Sequence, residues 1–570
     1  MRKFVAQLSD LSLMLAVITL LFTAGRGIFY FYGTRFFNPP LSTFPVETFF
    51  SGVEYDLQIV LILNAFFVFL FFLPVRIYNS KFNQFVLKLV FFSINSIALI
   101  INLLDVNVFQ ESGQRISPLN FEKEIKRIVE DFSQFDLDQL TTNYLLILIT
   151  AIIFILIIRS LHDFIVPRYL EKQGKKFNAF LVVPLIIALY SWFSYDFFNN
   201  KDVIFDKLYR KSSKLNSALV MNNPYLFLVS KIADERQVND FSELDQFSPL
   251  KTNDSLLFKP VDHFAVFLVN PGVKLNAGET ILNDDNFKFL MEKNLESLNG
   301  SLELQMFLDE AFLSVPPVFS NGIYQTMYSF NKVESLPGLL SENNFETSLF
   351  SVGYEEDRIK MIKNYYGFEN YKVILPEQIN GQELALDHLL SENDKNMVFF
   401  LIKGIEKDGL INLVNWFAGI YHENCMMVVF NFPEGFDENM PKLLDTGKII
   451  YPPGMAPFIN ERFQLMDLKP SLLQATGYDK PLIAYGSGFS DHERFLVSKN
   501  KSGKFLFLKD SLLLEFSDNQ TNKLLLLKNG TFQDKDLKDS LAVEKIKMEN
   551  LIRSVFADYY YRLNYNELKN

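Results

Sequence analysis

The stretch HFAVFLVNPGV (His263–Val273) decides the fold. Its apolar residues, Phe264 to Val269, run without a break and then stop at Asn270-Pro271-Gly272. A strand with one wet face alternates apolar and polar residues, whereas a continuous run is a strand buried on both faces, as in a parallel sheet. The same pattern returns in TSLFSVG (Thr347–Gly353), MVFFLIKG (Met397–Gly404) and MMVVFNF (Met426–Phe432). Helix-length segments separate them, among them QELALDHLLSEN (Gln382–Asn393) and GLINLVNWFAGIYHEN (Gly409–Asn424). Strands alternating with helices predict an α/β domain with a mostly parallel sheet and helices on both faces. Ligands of such domains bind beyond the carboxyl ends of the strands, here Asn270-Pro271-Gly272, Gly353-Tyr354-Glu355, Gly404 and Phe432-Pro433-Glu434. From about Phe505 shorter runs with polar breaks predict antiparallel strands near a sheet edge. The tail Ser540–Leu568 is helical in pattern, with Leu551, Val555, Tyr559 and Leu563 on one side.

The first 200 residues differ sharply in composition. Five apolar segments approach the roughly 20 residues that a membrane-spanning helix needs: Leu11–Tyr32, Leu57–Val75, Phe85–Leu104, Tyr144–Leu161 and Phe180–Phe198. Arg2 and Lys3, then Arg76 and Lys81, then Arg159, Arg168, Lys172, Lys175 and Lys176 mark the ends that face the cytoplasm. An odd number of spans then places everything after Asn200 outside, which in a Gram-negative cell is the periplasm. The expected organisation is a five-helix membrane domain (1–200), with an outer amphipathic helix near 120–133 carried by FEKEIKRIVEDF. A helical linker (201–260), an α/β domain (261–535) and a C-terminal helix (536–570) follow. Arg26 lies within the first span. A charge there is costly and is paired or snorkels; Asp10, Asp56, Asp105 and Asp196 near other span ends are its available partners, and a lipid-headgroup or substrate contact is the functional reading.

The net charge of −11 excludes a nucleic-acid binder, since no basic stripe offsets it. The single cysteine, Cys425, rules out an intramolecular disulfide and paired-cysteine zinc sites, and its apolar surroundings describe an inert thiol. His263 opens a strand, and His388 and His422 lie in helical segments. Asp491-His492 comes too late in the chain order for a strand-end metal pair and reads as a surface turn.

Four stretches together carry a resemblance. GVEYDLQIVLILNAFFVFLFFLP (Gly52–Pro74) and NSIALIINLLDVNVFQESGQR (Asn95–Arg115) come first. FQLMDLKPSLLQATGYDKP (Phe463–Pro481) with YGSG follows, placing Asp467, Pro470, Leu472, Leu473, Gly477 and Gly486 in register. ENLIRSVFADYYYRLNYNEL (Glu549–Leu568) closes the order. In this arrangement the chain resembles the lipoteichoic-acid-synthase-like branch of the alkaline phosphatase/sulfatase superfamily. The resemblance implies a five-span membrane part and a sulfatase-like extracytoplasmic domain. Active members transfer a phosphoglycerol-type group or hydrolyse a phosphate or sulfate ester. Their Thr or Ser nucleophile is activated by a divalent metal, held by a Glu after the first strand, the nucleophile itself and a late Asp-His pair.

This chain departs from that pattern at each chemical position. Asn270 stands in place of the Glu, and Phe432-Pro433 or Pro433-Glu434 in place of Asp-His. The segment LELQMFLDEAFL (Leu302–Leu313), where the nucleophile belongs, holds neither Ser nor Thr, and IEKDG replaces a substrate-contacting His after FFLIKG. Two readings follow. The first is an inner-membrane pseudoenzyme without cofactor, whose domain binds an envelope lipid or glycan or scaffolds another membrane or envelope protein. Glu434, Asp467, Tyr354 and Arg26 are then the candidate cleft or binding residues. The second is a divergent transferase or hydrolase with a relocated site near Glu434, Asp467 and Ser314 or Ser320, using a cation such as Mn or Mg.

Overall fold

A computed structural model describes residues 2–32, 46–67, 81–112, 115–116 and 214–233, a few isolated residues between these, and most of 248–569. The longer stretches outside the described residues after 248 are 252–258, 270–280, 283–289, 381–394 and 432–442. The chain forms two compact units: Met1–Arg236 with Gln325–Phe330, and Gln237–Tyr324 with Asn331–Asn570.

The first unit is helical: α1 (Arg2–Tyr32), α2 (Val46–Leu63), α3 (Lys81–Ser112), α4 (Lys214–Val220) and α5 (Asn223–Ala233). Among the described residues two helices hold stretches long and apolar enough to cross a membrane, Met14–Tyr32 and Leu89–Val106. The expected second span starts later than the helix that carries it, because α2 opens at Val46 with the mixed segment VETFFSGVEYD. The fourth and fifth expected spans and nearly all of the FEKEIKRIVEDF segment lie outside the described residues. Among the described residues of this unit, a polar set is buried within an apolar interior while large apolar side chains face outward. Leu20, Phe31, Phe50, Phe66, Leu89 and Ile97 are exposed, while Arg26, Asp56, Asn64, Asn95, Asn102, Asp105 and Arg115 are buried. Asn64 and Asn95 join α2 to α3 by a reciprocal amide pair, at 3.0 and 2.9 Å. Each amide also donates to a carbonyl one turn earlier, Val60 and Phe91, so both side chains meet their bonding needs in a place without water.

The second unit is built on a seven-stranded sheet. Its strands are β2 (His263–Val269), β3 (Met291–Leu298), β4 (Glu346–Val352), β5 (Asn370–Ile374), β6 (Asn396–Ile402), β7 (Cys425–Asn431) and β8 (Leu443–Tyr451). The order is β3-β8-β7-β2-β6-β4-β5. The five strands from β7 to β5 are parallel, and β8 and β3 run antiparallel at one edge. β2 is central, with His263 opposite both Asn396 and Cys425. Every residue of β2 after His263 is at most 1 % exposed, which accounts for its unbroken apolar run. A short pair, β1 (Leu250–Lys251) with β9 (Leu482–Ile483), is separate from this sheet.

Helices α6 (Leu304–Leu313), α7 (Leu336–Glu342), α8 (Glu356–Tyr366), α9 (Pro376–Asn380), α10 (Lys407–Tyr421) and α11 (Leu468–Thr476) complete the α/β part. From Phe495 a second sheet of five antiparallel strands follows in simple order: β10 (Phe495–Lys499), β11 (Phe505–Lys509), β12 (Leu512–Ser517), β13 (Gln520–Lys528) and β14 (Thr531–Phe532). The late short runs therefore make a sheet of their own rather than an edge of the first. In β12 Leu513, Leu514 and Phe516 are buried, and Glu515 is partly open, paired with Lys504 at 2.6 Å. The C-terminal helix α12 (Ala542–Tyr565) packs on β11, β12 and β13, burying Ile552, Val555, Tyr559 and Leu563.

Candidate functional site

The carboxyl ends of β4 and β6 meet in a tight double turn. Gly353 has φ of +75° and Gly404 φ of +74°, a region that costs a side-chain-bearing residue about 1 kcal/mol or more. A Cβ at Gly353 would lie 2.3 Å from the Lys403 carbonyl oxygen, so only glycine allows this approach. Beyond the turn Tyr354 is half-buried, with the Arg358 guanidinium and the Lys403 ammonium each 5.9 Å from its ring. Glu355 stands at the N-cap of α8 without a side-chain capping bond. Asn270, Phe432, Pro433 and Glu434 lie outside the described residues. As a donor set they do not fit a divalent cation. An amide, a phenyl ring and a proline offer no anionic oxygen, and Glu434 alone supplies a carboxylate. Among the described residues no group of three or more His, Cys, Asp or Glu is placed to hold a metal ion.

A cluster of buried polar and charged residues of the second unit lies around α6. All ten residues of this helix are buried, Asp309 and Glu310 included. Asp309 accepts the Ile323 amide at 2.6 Å and the Tyr366 hydroxyl at 2.7 Å. Burial and the Asp309 charge hold the Tyr366 phenol well above its ordinary range. Glu310 is 4 % exposed, and its Oε1 has no hydrogen-bond partner among the described residues. Burial, and then the charges of Asp309 and Asp467, push its carboxyl well above the usual carboxylate range.

Ser314 follows α6 with φ of +57°. Its hydroxyl donates to the Met466 carbonyl at 2.6 Å and accepts the Gly486 amide at 3.0 Å, and its own carbonyl accepts the Tyr485 amide at 2.9 Å. Gly486 is required there, because a Cβ would sit 2.0 Å from the Met466 oxygen. Asp467 accepts the Gln464 amide at 3.1 Å and the Ser487 amide at 2.6 Å. Gly477 ends α11 in the left-handed conformation. Lys469, fully buried, donates to the carbonyls of Glu334 (2.7 Å), Ile483 (3.1 Å) and Leu313 (3.5 Å). Burial lowers its pKa to about 8. The late motif residues are thus fasteners between α6, α11 and the Tyr485–Ser487 turn. Ser314 and Asp467 share this junction, but their bonds are to main chain. Ser320 lies outside the described residues.

In the first unit Arg26 is 4 % exposed and paired with Asp56 at 2.6 Å. It also donates to the carbonyls of Gly52 (2.6 Å) and Phe49 (3.2 Å). Asp105 pairs instead with Arg115, at 2.6 Å. Sequence reasoning named neither Arg115 nor the buried trio Asp309, Glu310 and Lys469. The signal for the latter was present: two adjacent acids in LQMFLDEAFL and one lysine in LKPSLL, each within an apolar helix. Of the remaining candidates, His263 stacks on Tyr421 with ring centres 3.9 Å apart, and burial pushes the Cys425 thiol up to about 12. His388, His422 and His492 lie outside the described residues.

No family model matches the chain, and no curated protein sequence matches it. Among solved structures it is similar to a protein in the alkaline phosphatase superfamily from Vibrio parahaemolyticus. That similarity has 12 % identity and a TM-score of 0.41, over 65 % of this chain and 97 % of the other. It is similar to the lipoteichoic acid synthase LtaP from Listeria monocytogenes, at 14 % identity and a TM-score of 0.38, over 58 % and 98 %. It is also similar to alkaline phosphatase from the Antarctic bacterium TAB5, at 10 % identity and a TM-score of 0.27, over 39 % and 100 %.

Proposed function

We propose that this chain is an inner-membrane protein whose periplasmic, sulfatase-like domain is a pseudoenzyme serving to bind or scaffold in the cell envelope. The observation that carries this reading is the use of Ser314 and Asp467. The Ser314 hydroxyl and the Asp467 carboxylate are each bonded to main-chain groups. Both side chains serve as fasteners of the main chain in these bonds. The loss of anionic ligands at Asn270 and Phe432-Pro433 in the sequence supports the same reading. The five-span arrangement and the outward orientation of the second unit belong to this proposal. The exposed Leu20, Phe31, Phe50, Phe66 and Leu89 of the helical unit, with its buried charges paired, support it, since lipid favours both. The partner classes that suit it are a membrane lipid and another membrane or envelope protein.

The test is hydrolysis by the purified full-length protein of a chromogenic phosphodiester, phosphomonoester and sulfate ester, with added Mn, Mg or Zn. The expected rate is that of the buffer control. Turnover that requires one of these cations and disappears with a chelator refutes the proposal in favour of a relocated site.

A further inference from the structure

Two buried ion pairs in the first unit are joined by adjacent residues of one later segment. The Asn222 amide donates to Asp56 at 3.0 Å, and Asp56 holds Arg26 of α1. The same side chain caps α5, its oxygen accepting the Tyr225 amide at 2.9 Å. Asn223 reaches the other pair: its Nδ2 donates to Asp105 at 2.9 Å and to the Ile116 carbonyl at 2.7 Å. Its main-chain amide donates to Asn102 of α3 at 3.0 Å. Arg115, bound to Asp105, donates back to the carbonyls of Ala218 (2.5 Å) and Met221 just before this point. Its guanidinium also lies 4.5 Å from the Phe29 ring. Asn222 and Asn223 are 3 % and 0 % exposed. The two asparagines are consecutive, and withdrawing either removes a hydrogen bond from a buried carboxylate of an ion pair.

We infer that Met221-Asn222-Asn223 is a two-pin latch that couples the Arg26–Asp56 and Asp105–Arg115 pairs, so that α4 and α5 open from α1, α2 and α3 in one cooperative step. This segment was expected to be a linker; on this inference it is part of the membrane unit and passes any change in either ion pair to the other. The inference stands independently of whether the second unit is a pseudoenzyme.

Native-state hydrogen exchange on the full-length protein in nanodiscs tests it without any substitution. The amides of Ile116, Asn223 and Tyr225 are each bound to a side chain of the latch or of the residues it engages, Asp105, Asn102 and Asn222 respectively. They are expected to share one opening equilibrium and one denaturant dependence. Asn222→Ala, which removes the pin in Asp56, is expected to speed exchange at Ile116 by about tenfold, the order seen when residues share one hydrogen-bond network. Different opening equilibria for the three amides, or an Asn222→Ala effect confined to Tyr225, overturn the latch. Should that variant not accumulate, the three amides of the unaltered protein still decide.

Discussion

Replacing Glu310 by glutamine should remove a pH-dependent loss of stability from the second unit. The carboxyl sits on a wholly buried helix, one oxygen has no partner among the described residues, and Asp309 and Asp467 add their charge. Its folded pKa therefore lies above the ordinary value of 4.5. The unfolded chain ionises first as pH rises, so folding takes up a proton between the two values. Stability contributed by the neutral acid is complete below the unfolded pKa and is lost as pH rises toward the folded one. The limiting slope is about 1.4 kcal/mol per pH unit for one proton. Glutamine has nearly the same shape and does not titrate. The difference between the proteins should flatten well below the unfolded pKa and, as pH rises past it, widen in favour of Glu310→Gln toward that slope until the folded pKa is passed. Imperfect bonding of the new amide shifts the offset, not the slope, and titrations of groups not coupled to Glu310 cancel in the difference. Pulse proteolysis of the full-length protein in detergent, from pH 4 to 8, reads this directly. Parallel stability curves would show that Glu310 is ionised in the folded protein and refute the reasoning.

Asp56→Ala should destabilise the first unit by about 3–5 kcal/mol, because it strands a buried guanidinium. The double variant Arg26→Met/Asp56→Ala should recover part of that loss, and thermal unfolding in detergent measures both. Ser314→Ala should cost about 1–3 kcal/mol by orphaning the Met466 carbonyl and the Gly486 amide. Gly486→Ala should cost more, since its Cβ falls 2.0 Å from a main-chain oxygen; denaturant midpoints rank the two. Lys403→Cys, at an exposed turn and in a Cys425→Ala background, should react with a membrane-impermeant maleimide in spheroplasts. Labelling only after lysis would reverse the proposed orientation.

The central strands were legible because burial on both faces left an unbroken apolar run at Phe264–Val269, Met397–Ile402 and Met426–Phe430. The antiparallel edge was not. β3 reads MEKNLESL, and β8 carries Lys448, whose ammonium is paired with Glu292 of β3 at 2.6 Å. An edge strand with charged residues has no apolar signature. Asp467, Ser314 and Gly486 were legible as motif residues, but their roles were not, because a cap and a ligand use the same carboxylate. Arg115 escaped notice for a different reason. Its carbonyl partners at Ala218 and Met221 are more than a hundred positions away in sequence, and no local pattern encodes such a contact.

The close approach of α1 and α2 carries an evolutionary consequence. The Arg26 guanidinium fills the space where a Cβ on Gly52 would stand, with Cζ only 2.1 Å from that point. The two positions constrain each other: a methyl at 52 obliges the guanidinium to shift from its place beside Asp56, and a lost cation leaves that buried carboxylate without its arginine. Across descendants of this gene, glycine, arginine and aspartate at these places should therefore be inherited or abandoned as a set. Their joint substitution would mark lineages in which the first two helices have been repacked.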